Sequence, residues 1–281
     1  MEFYIVLLLS VVIAILWSVG SIIAKRVDTL LGNSYASLLF LFVLSVTILA
    51  IVPFFQISIN PKMLVLSVAS GLLDAVGYLL FFKSLQTEQA SNTYSLVLLQ
   101  VLVLVLFGIF FLHEPISVRV ALGMVLILSG TFSISYKDGH GLNMGLVPAI
   151  IGNVVWGLSW VAYYFAYAAG GNFVDPLALA YLTAFLAVLA WVLLSRQRRP
   201  SAKMVRKGLL LGVAAALFSA LANFGFAFLE SINVVAIASV FSNMQPVFVS
   251  LMAYFVYRER LTRVNLAGLA IALAGVSLIL F

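Results

Sequence analysis

The chain contains no cysteine among its 281 residues and has two histidines, His113 and His140. The absence of cysteine excludes disulfides, thiolate metal ligands and cysteine nucleophiles. Both histidines fall in predicted loops, so no paired-histidine metal site is expected. Nothing matches a phosphate-binding glycine loop, a nucleophile elbow or a zinc-protease helix. We therefore expect no metal, no cofactor and no enzymatic activity.

Charge is also scarce. Charged residues make up 9% of the chain and hydrophobic residues 64%, with a mean hydropathy of +1.21. A soluble domain is about 25% charged. Many apolar runs approach the roughly 20 residues needed to cross about 30 Å of hydrocarbon. The sequence predicts one all-α membrane domain over residues 1–281, with membrane lipid as its solvent.

Polar breaks divide the apolar sequence into ten predicted transmembrane helices. The predicted spans are 4–24, 34–54, 63–83, 93–112, 118–136, 145–168, 176–194, 208–228, 234–256 and 262–280. Five spans in each half is an odd number, so the second half must enter the membrane upside down relative to the first. The pattern predicts two inverted five-helix repeats.

The two halves also repeat in sequence. A shift of 145 positions places Phe81 on Phe226 and Gln100 on Gln245. The same shift aligns further pairs without a gap: Phe110 with Phe255, Glu114 with Glu259, Gly123 with Gly268 and Gly130 with Gly275. We assign residues 1–139 to repeat one and residues 140–281 to repeat two. Repeated halves in a membrane chain are typical of secondary transporters.

The net charge of +6 does not indicate a nucleic-acid partner, because the cations are predicted to lie beside the spans. Thirteen of the fifteen are assigned to loops on one side, and Lys62 and Arg119 to the other. The positive-inside rule makes the rich side cytoplasmic. It predicts a multi-pass protein of the plasma membrane with both termini outside.

Asp74 is the most informative single residue. It lies near the middle of the third predicted span, where a carboxylate costs roughly 2.5–3.5 kcal/mol on insertion scales. Gly71, Gly77 and Tyr78 share its helix face, and small residues favour close helix contact. Asp74 is therefore expected to face the bundle interior. It either binds a proton or a substrate amine, or serves as a structural acid held between helices.

An aromatic stripe marks the sixth predicted span. The residues on this face are Asn153, Trp156, Trp160, Tyr163, Tyr164 and Tyr167. They could line a cavity for aromatic or cationic solutes. Ordinary packing and an interfacial aromatic belt are the competing interpretations. Trp156 and Trp160 are the deepest of the set and the better cavity candidates.

Polar residues also line other spans. The eighth span carries Ser219, Asn223, Phe226 and Glu230 on one face, and the first carries Trp17, Ser18, Ser21 and Lys25. Glu230 is expected to meet water, and Lys25 to anchor the topology rather than bind a ligand. Glu114, beside His113, and Glu259, beside Arg258, are interpreted as helix-end or interfacial ion pairs. Gln100 and Gln245 must be hydrogen-bonded if buried, and their recurrence favours a structural role.

Together these residues resemble the EamA-type carriers of the drug/metabolite transporter superfamily. The likeness rests on Trp17 and Trp156, on Gln245-Pro246 with Arg258-Glu259-Arg260-Leu261, and on Gly268 with Gly275. In the first half it rests on Gln100, His113-Glu114-Pro115-Ile116, Gly123 and Gly130. The resemblance implies small-metabolite export through a cavity lined by helices 1, 3, 4, 6, 8 and 9. It also implies cytoplasmic termini, unlike the charge count. Val101 replaces Pro246 in the first repeat, which predicts a straighter fourth helix there.

We interpret the chain as a secondary transporter that exports small metabolites, with amino acids as the first choice, by alternating access. The predicted cavity-lining residues are Trp17, Tyr78, Tyr94, Gln100, Trp156, Trp160, Asn223 and Gln245. Asp74 is assigned to proton coupling or to a substrate amine. The alternative is a proton-coupled multidrug or organic-cation exporter. The expected assembly is a monomer or a homodimer.

Overall fold

Helices account for almost all of the computed structural model, which describes residues 3–111, 117–137, 141–170, 172–195, 200–232, 242, 244–259 and 262–280. The helices in these residues are α1 (Phe3–Leu31), α2 (Asn33–Ile51), α3 (Pro61–Thr87), α4 (Ala90–Ser95), α5 (Leu98–Phe111), α6 (Val118–Ser135), α7 (Val147–Ala168), α8 (Val174–Leu194), α9 (Ala202–Ser231), α10 (Gln245–Tyr257) and α11 (Arg263–Leu280). A 3₁₀ turn, Val52–Phe54, follows α2. Between the halves, Tyr136–Lys137 pairs antiparallel with Gly141–Leu142.

Seven described helical segments are long and apolar enough to cross a membrane, with α4 and α5 counted together as Ala90–Phe111, and α6, α10 and α11 contain shorter apolar segments. Large apolar side chains point outward, such as Phe110 at 68% exposure and Leu210 at 76%. Serines lie inside, where the hydroxyls of Ser18 and Ser45 bond carbonyls one turn earlier. Lipid favours a bundle with apolar side chains outside and hydrogen-bonded polar groups inside. The chain is a multi-pass membrane protein.

Several helices are longer than predicted. The first predicted span ended at residue 24, but α1 continues to Leu31, so Lys25 and Arg26 are helical rather than in a loop. Its 29 residues measure about 43 Å, more than the roughly 30 Å of hydrocarbon. The helix ends where Gly32 adopts a φ of 81°, a conformation that suits glycine. Helix α9 likewise begins at Ala202, with Ser201 as its cap, and includes Lys203, Arg206 and Lys207.

Helices of the two halves pack against each other in matching pairs. The first helix of each half packs on the third helix of the other, α1 on α9 and α7 on α3. The second helices pair with each other, α2 on α8, and so do the last, α6 on α11. Such reciprocal pairing is expected of two halves related by a pseudo-twofold axis. The two-repeat architecture is confirmed.

The repeated glycines explain the contact between α6 and α11. A Cβ added to Gly275 would lie 2.6 Å from the Gly123 carbonyl oxygen. In the reciprocal contact, a Cβ added to Gly130 would collide with the Gly268 carbonyl oxygen. The four glycines therefore let two backbones touch without side chains between them, as small residues do in membrane helix pairs.

The fourth span, expected to be straighter than its counterpart in the second half, is interrupted. Helix α4 ends at Ser95 and α5 begins at Leu98. Through the break, Val97 N–H bonds the Tyr94 carbonyl and Gln100 N–H bonds the Val97 carbonyl, which is 3₁₀ pairing. No proline is needed, because a tighter turn alone breaks the α-helical pattern. In the second half, Pro246 lies in the first turn of α10, where a missing N–H costs nothing. Residues 233–241 and 243, most of the start of the predicted span 234–256, lie outside the described residues.

Candidate substrate cavity

A cavity of about 90 Å³ lies between the two halves. The cavity lies near the middle of the bundle, because two of its lining residues, Trp17 and Asp74, are at the midpoints of α1 and α3. The lining side chains are Trp17, Ser21, Ala24, Phe40, Asp74, Tyr78, Phe81, Phe82, Tyr94, Val97, Gln100, Trp156, Trp160, Tyr181, Ser219, Asn223 and Gln245. All nine residues predicted from the sequence are among them. That they bind substrate or a proton stays a prediction.

Two lining residues come from helices that sequence reasoning had left out. Phe40 lies on α2 and Tyr181 on α8, the second helix of each half. Tyr181 is a buried phenol in an otherwise apolar span, a signal that could have been found. Phe40 lies within an apolar run, Leu38 to Phe42, and nothing in its sequence context separates it from lipid-facing neighbours.

Hydrogen bonds join the halves across the cavity. The Trp17 indole N–H donates to the Asn223 Oδ1 atom at 2.8 Å. The Gln245 amide donates to the Ser21 hydroxyl at 2.7 Å, and the Gln100 amide donates to the Asn153 Oδ1 atom at 3.3 Å. Each glutamine thus reaches the first helix of the opposite half. Both side-chain amides therefore have the hydrogen bond that a buried polar group needs, and both also line the cavity.

Asp74 faces the bundle interior, as its small neighbours predicted. It is 9% exposed, and the Ser159 hydroxyl of α7 lies beside it. Within the described residues, the ion pair found is between Lys25 and Glu259, so no described cation pairs with Asp74. Gly71 packs against the α8 backbone at Ala180, which holds this face close to the second half. The cavity therefore contains a carboxyl group without a fixed counter-ion among the described residues.

Aromatic rings form one wall of the cavity. The centroid of Trp156 lies 5.0 Å from that of Tyr78 and 4.9 Å from that of Phe81. Gly77 makes this possible, because a Cβ there would meet the Trp156 indole. The buried Trp156 Nε1 atom has no hydrogen-bond partner within the described part of the chain. Trp160 packs edge-on against Phe226 at 4.9 Å.

The later tyrosines of the α7 stripe serve packing instead. The Tyr163 hydroxyl donates to the Phe173 carbonyl at 2.8 Å, and the Tyr167 hydroxyl donates to the Ser231 carbonyl at 3.1 Å. Tyr164 packs against Phe107. The stripe therefore divides by depth, with its tryptophans on the cavity and its tyrosines between helices.

Glu230, which was expected to meet water, does not. Its side chain is buried, at 2% exposure, and its Oε2 atom finds no hydrogen-bond partner in the described segments. The expectation came from its place near the end of α9, but α9 continues to Ser231 and packs against α1 and α2. Neighbouring helices, rather than distance from the helix end, decide the exposure of this carboxyl.

At the other end of the bundle, where α1 ends and α4 begins, the Glu259 carboxylate accepts hydrogen bonds from several donors. The Lys25 ammonium lies 3.1 Å from its Oε1 atom and also donates to the Glu88 carbonyl at 2.7 Å. The Ala90 N–H donates to Oε1 at 2.9 Å. The Ser91 N–H and hydroxyl donate to Oε2 at 3.0 and 2.7 Å. We call Lys25, Glu259 and the Ala90–Ser91 backbone the latch.

The latch carboxyl is held ionised. Burial raises the pKa of Glu259, but the Ser91 and Ala90 donors and the Lys25 charge outweigh burial and lower it below its usual 4.5. The predicted helix-end ion pair of Glu259 is thus present, although it reaches across to α1. Lys25, expected as a topology anchor, is half of this pair.

Comparison with known proteins agrees with this architecture. The model of the EamA-like transporter family matches twice, over residues 4–136 and 143–281. A solved structure titled "Crystal structure of protein" superimposes with a TM-score of 0.71 at 18% identity, covering 99% of this chain and 96% of the other. At that identity the likeness shows a shared fold. No curated protein matches the chain.

Proposed function

The chain belongs to the EamA-like transporter family of the drug/metabolite transporter superfamily, and on that basis we propose that it is a secondary transporter exporting small metabolites by alternating access. Amino acids are the first candidates for substrate. Ten spans in two inverted five-helix halves, divided near residue 139, would carry the transport. The shorter apolar segments in α6, α10 and α11, added to the seven long ones, support that proposal. The plasma membrane is the proposed location, with a monomer or homodimer as the working unit.

The observation that carries this proposal is the position of the cavity. It lies between the halves at the helix midpoints and touches the interrupted fourth span through Tyr94, Val97 and Gln100. Secondary transporters bind their substrates near the midplane, at the repeat interface and beside broken helices. Two halves that meet around such a cavity can rock against each other and expose it alternately to each side.

The chemistry of the wall suits an amphipathic zwitterion. The Asp74 carboxylate could pair with a substrate amine, and the unpartnered Trp156 Nε1 donor could bind a substrate carboxylate. The Tyr78, Phe81 and Trp160 rings offer apolar surface, and rings also attract cations at their faces. Trp17, Tyr94, Gln100, Asn223 and Gln245 complete the proposed substrate-binding set.

Volume favours the small solute. Pockets for drug-sized ligands measure about 300–1,000 Å³, whereas this cavity measures about 90 Å³. A multidrug or organic-cation exporter is the second candidate, because an acid without a described counter-ion among aromatic rings also suits a cation. That activity would require the cavity to expand several-fold in another conformation.

Counterflow in proteoliposomes tests the proposal. Labelled amino acid outside should accumulate transiently when unlabelled amino acid is loaded inside, since only a carrier shows trans-stimulation. Trp156→Phe should weaken this exchange by removing the Nε1 donor. Trp191→Phe is the matched control, because Trp191 is 51% exposed on α8. Exchange of organic cations alone would transfer the proposal to the second candidate, and flux without trans-stimulation would indicate a channel.

A further inference from the structure

A second buried carboxyl lies away from the cavity, at the latch end of the bundle. Asp28, on α1, is 1% exposed, and neither of its carboxylate oxygens has a hydrogen-bond partner among the residues that the structure describes. An ionised carboxylate buried without partners is strongly unfavourable. Asp28 therefore carries a proton in the conformation that the structure shows.

The cation that acts on Asp28 is already engaged in the latch. Lys25 is the cation whose field acts on Asp28, and residues three apart on a helix lie on the same face. In this conformation, however, the Lys25 ammonium is held by Glu259 Oε1 and by the Glu88 carbonyl. While the latch is closed, the Lys25 ammonium cannot pair with Asp28 and stabilise its ionised form.

Among the described groups, Lys25 is the charge found to act on Asp28. From α10, the Tyr257 hydroxyl donates to the Ile22 carbonyl, and Arg26 of α1 and Lys83 of α3 are exposed. From α4, Tyr94 is the titratable group that lies in the field of Asp28. From α2, the buried Ser34 hydroxyl is uncharged and has no partner. The cations of α9 in this region, Lys203, Arg206 and Lys207, are exposed to solvent.

We propose that Asp28 is a proton-binding site whose occupancy is linked to the latch, an inference that builds on the alternating access proposed above. When Glu259 separates from Lys25, the freed ammonium turns to Asp28, and the Asp28 proton leaves to water at that end. When the latch re-forms, Asp28 takes up a proton again. The closed latch end binds the proton and the open one does not, so acid favours closure and alkali favours opening.

Double electron–electron resonance between two spin labels tests this linkage. The chain has no cysteine, so Thr29→Cys on α1 and Val256→Cys on α10, both exposed positions, can be labelled without background. In purified protein, the ratio of open to closed latch ends should rise with pH between 5 and 9. The rise should approach about tenfold per pH unit where one proton is released.

Asp28→Asn should remove this pH dependence and keep the latch end closed, because the amide cannot ionise to attract Lys25. Asp28→Glu should restore it. Asp175→Asn is the control, since Asp175 is a buried acid at the opposite end with hydrogen-bond partners. The infrared carbonyl band of a protonated carboxyl should also diminish at neutral pH in Asp28→Asn.

A wild-type distance distribution that is unchanged from pH 5 to 9, or an Asp28→Asn protein that keeps the dependence, would overturn the assignment. If labelling fails, the infrared band is an independent test, since a band unaffected by Asp28→Asn also overturns the assignment. None of these readouts needs a substrate. Loss of amino-acid exchange with an intact pH response would therefore refute the proposed function and leave the proton site standing.

Discussion

Replacing Glu259 by glutamine should open the latch end of the bundle. Glutamine keeps the size of the side chain but removes its charge, and with it the ion pair to Lys25 at 3.1 Å. It also replaces one acceptor oxygen by an NH2 donor, so the N–H groups of Ala90 and Ser91, which donate to different oxygens, cannot both be accepted, and the bonds that remain are weaker neutral ones. The Lys25 and Glu259 side chains are 19% and 8% exposed, so water can replace only part of what is lost.

The size of the effect follows from these contacts. Breaking a buried pair costs about 3–5 kcal/mol, and hydrogen bonds to charged groups contribute about 1.5–3 kcal/mol. Because Lys25 is partly exposed, we expect about 2–4 kcal/mol in favour of the open end. That changes the ratio of open to closed molecules by roughly 30- to 700-fold.

Spin labels at Thr29→Cys and Val256→Cys measure this ratio directly at pH 7. Glu88→Gln is the matched control at the same end. It removes a carboxylate that accepts from Asn143 but keeps the backbone carbonyl that Lys25 uses. A Glu259→Gln distribution equal to the wild type, or an equal shift in Glu88→Gln, would refute the latch.

Three further outcomes are expected. Asp74→Asn should abolish the pH dependence of transport or the binding of amines, and wild-type transport with unchanged pH dependence would remove Asp74 from the mechanism. Gly77→Ala should displace the Trp156 indole and reduce substrate binding, measured by thermal shift, at least several-fold. Gly225→Ala should not, because its added Cβ would meet a flexible isoleucine at 3.2 Å. Equal effects of the two substitutions would count against the aromatic wall. Because the pKa of Glu259 is lowered in the fold, its stabilising contribution is complete above about pH 4.5 and is lost as the pH falls through the lower folded value. Measured in the Asp28→Asn background, where the latch end is expected to stay closed, the thermal stability lost on Glu259→Gln should therefore be constant from pH 5 to 8 and shrink only below that range.

Much of the site could be predicted because lipid makes buried polarity expensive. Asp74, Gln100 and Asn223 stand out in apolar spans, and helical periodicity alone places each on an inward face. All three line the cavity. Phe40 could not be found in this way, since a phenylalanine is equally at home against lipid and against a cavity wall.

The latch and the second acid depended on contacts between distant segments. Glu259 lies 234 residues after Lys25, and the sequence places Arg258 directly beside it. Asp28 was assigned to a loop because the first span was ended too early, and Glu230 was placed in water for its nearness to a helix end. In each case the burial of the side chain was decided by the helices packed around it, and the sequence does not state which helices those are.

Composition, periodicity and the internal repeat determined by themselves that this is a helical membrane protein of two related halves with polar inner faces. Those properties follow from the solvent, because lipid allows few backbone structures and tolerates few polar residues without partners. The interruption at Leu96–Val97, the reciprocal glycine contacts and the choice of ion-pair partner were decided only by the tertiary structure. They depend on which helices approach each other and how closely, and that is a property of the packed bundle.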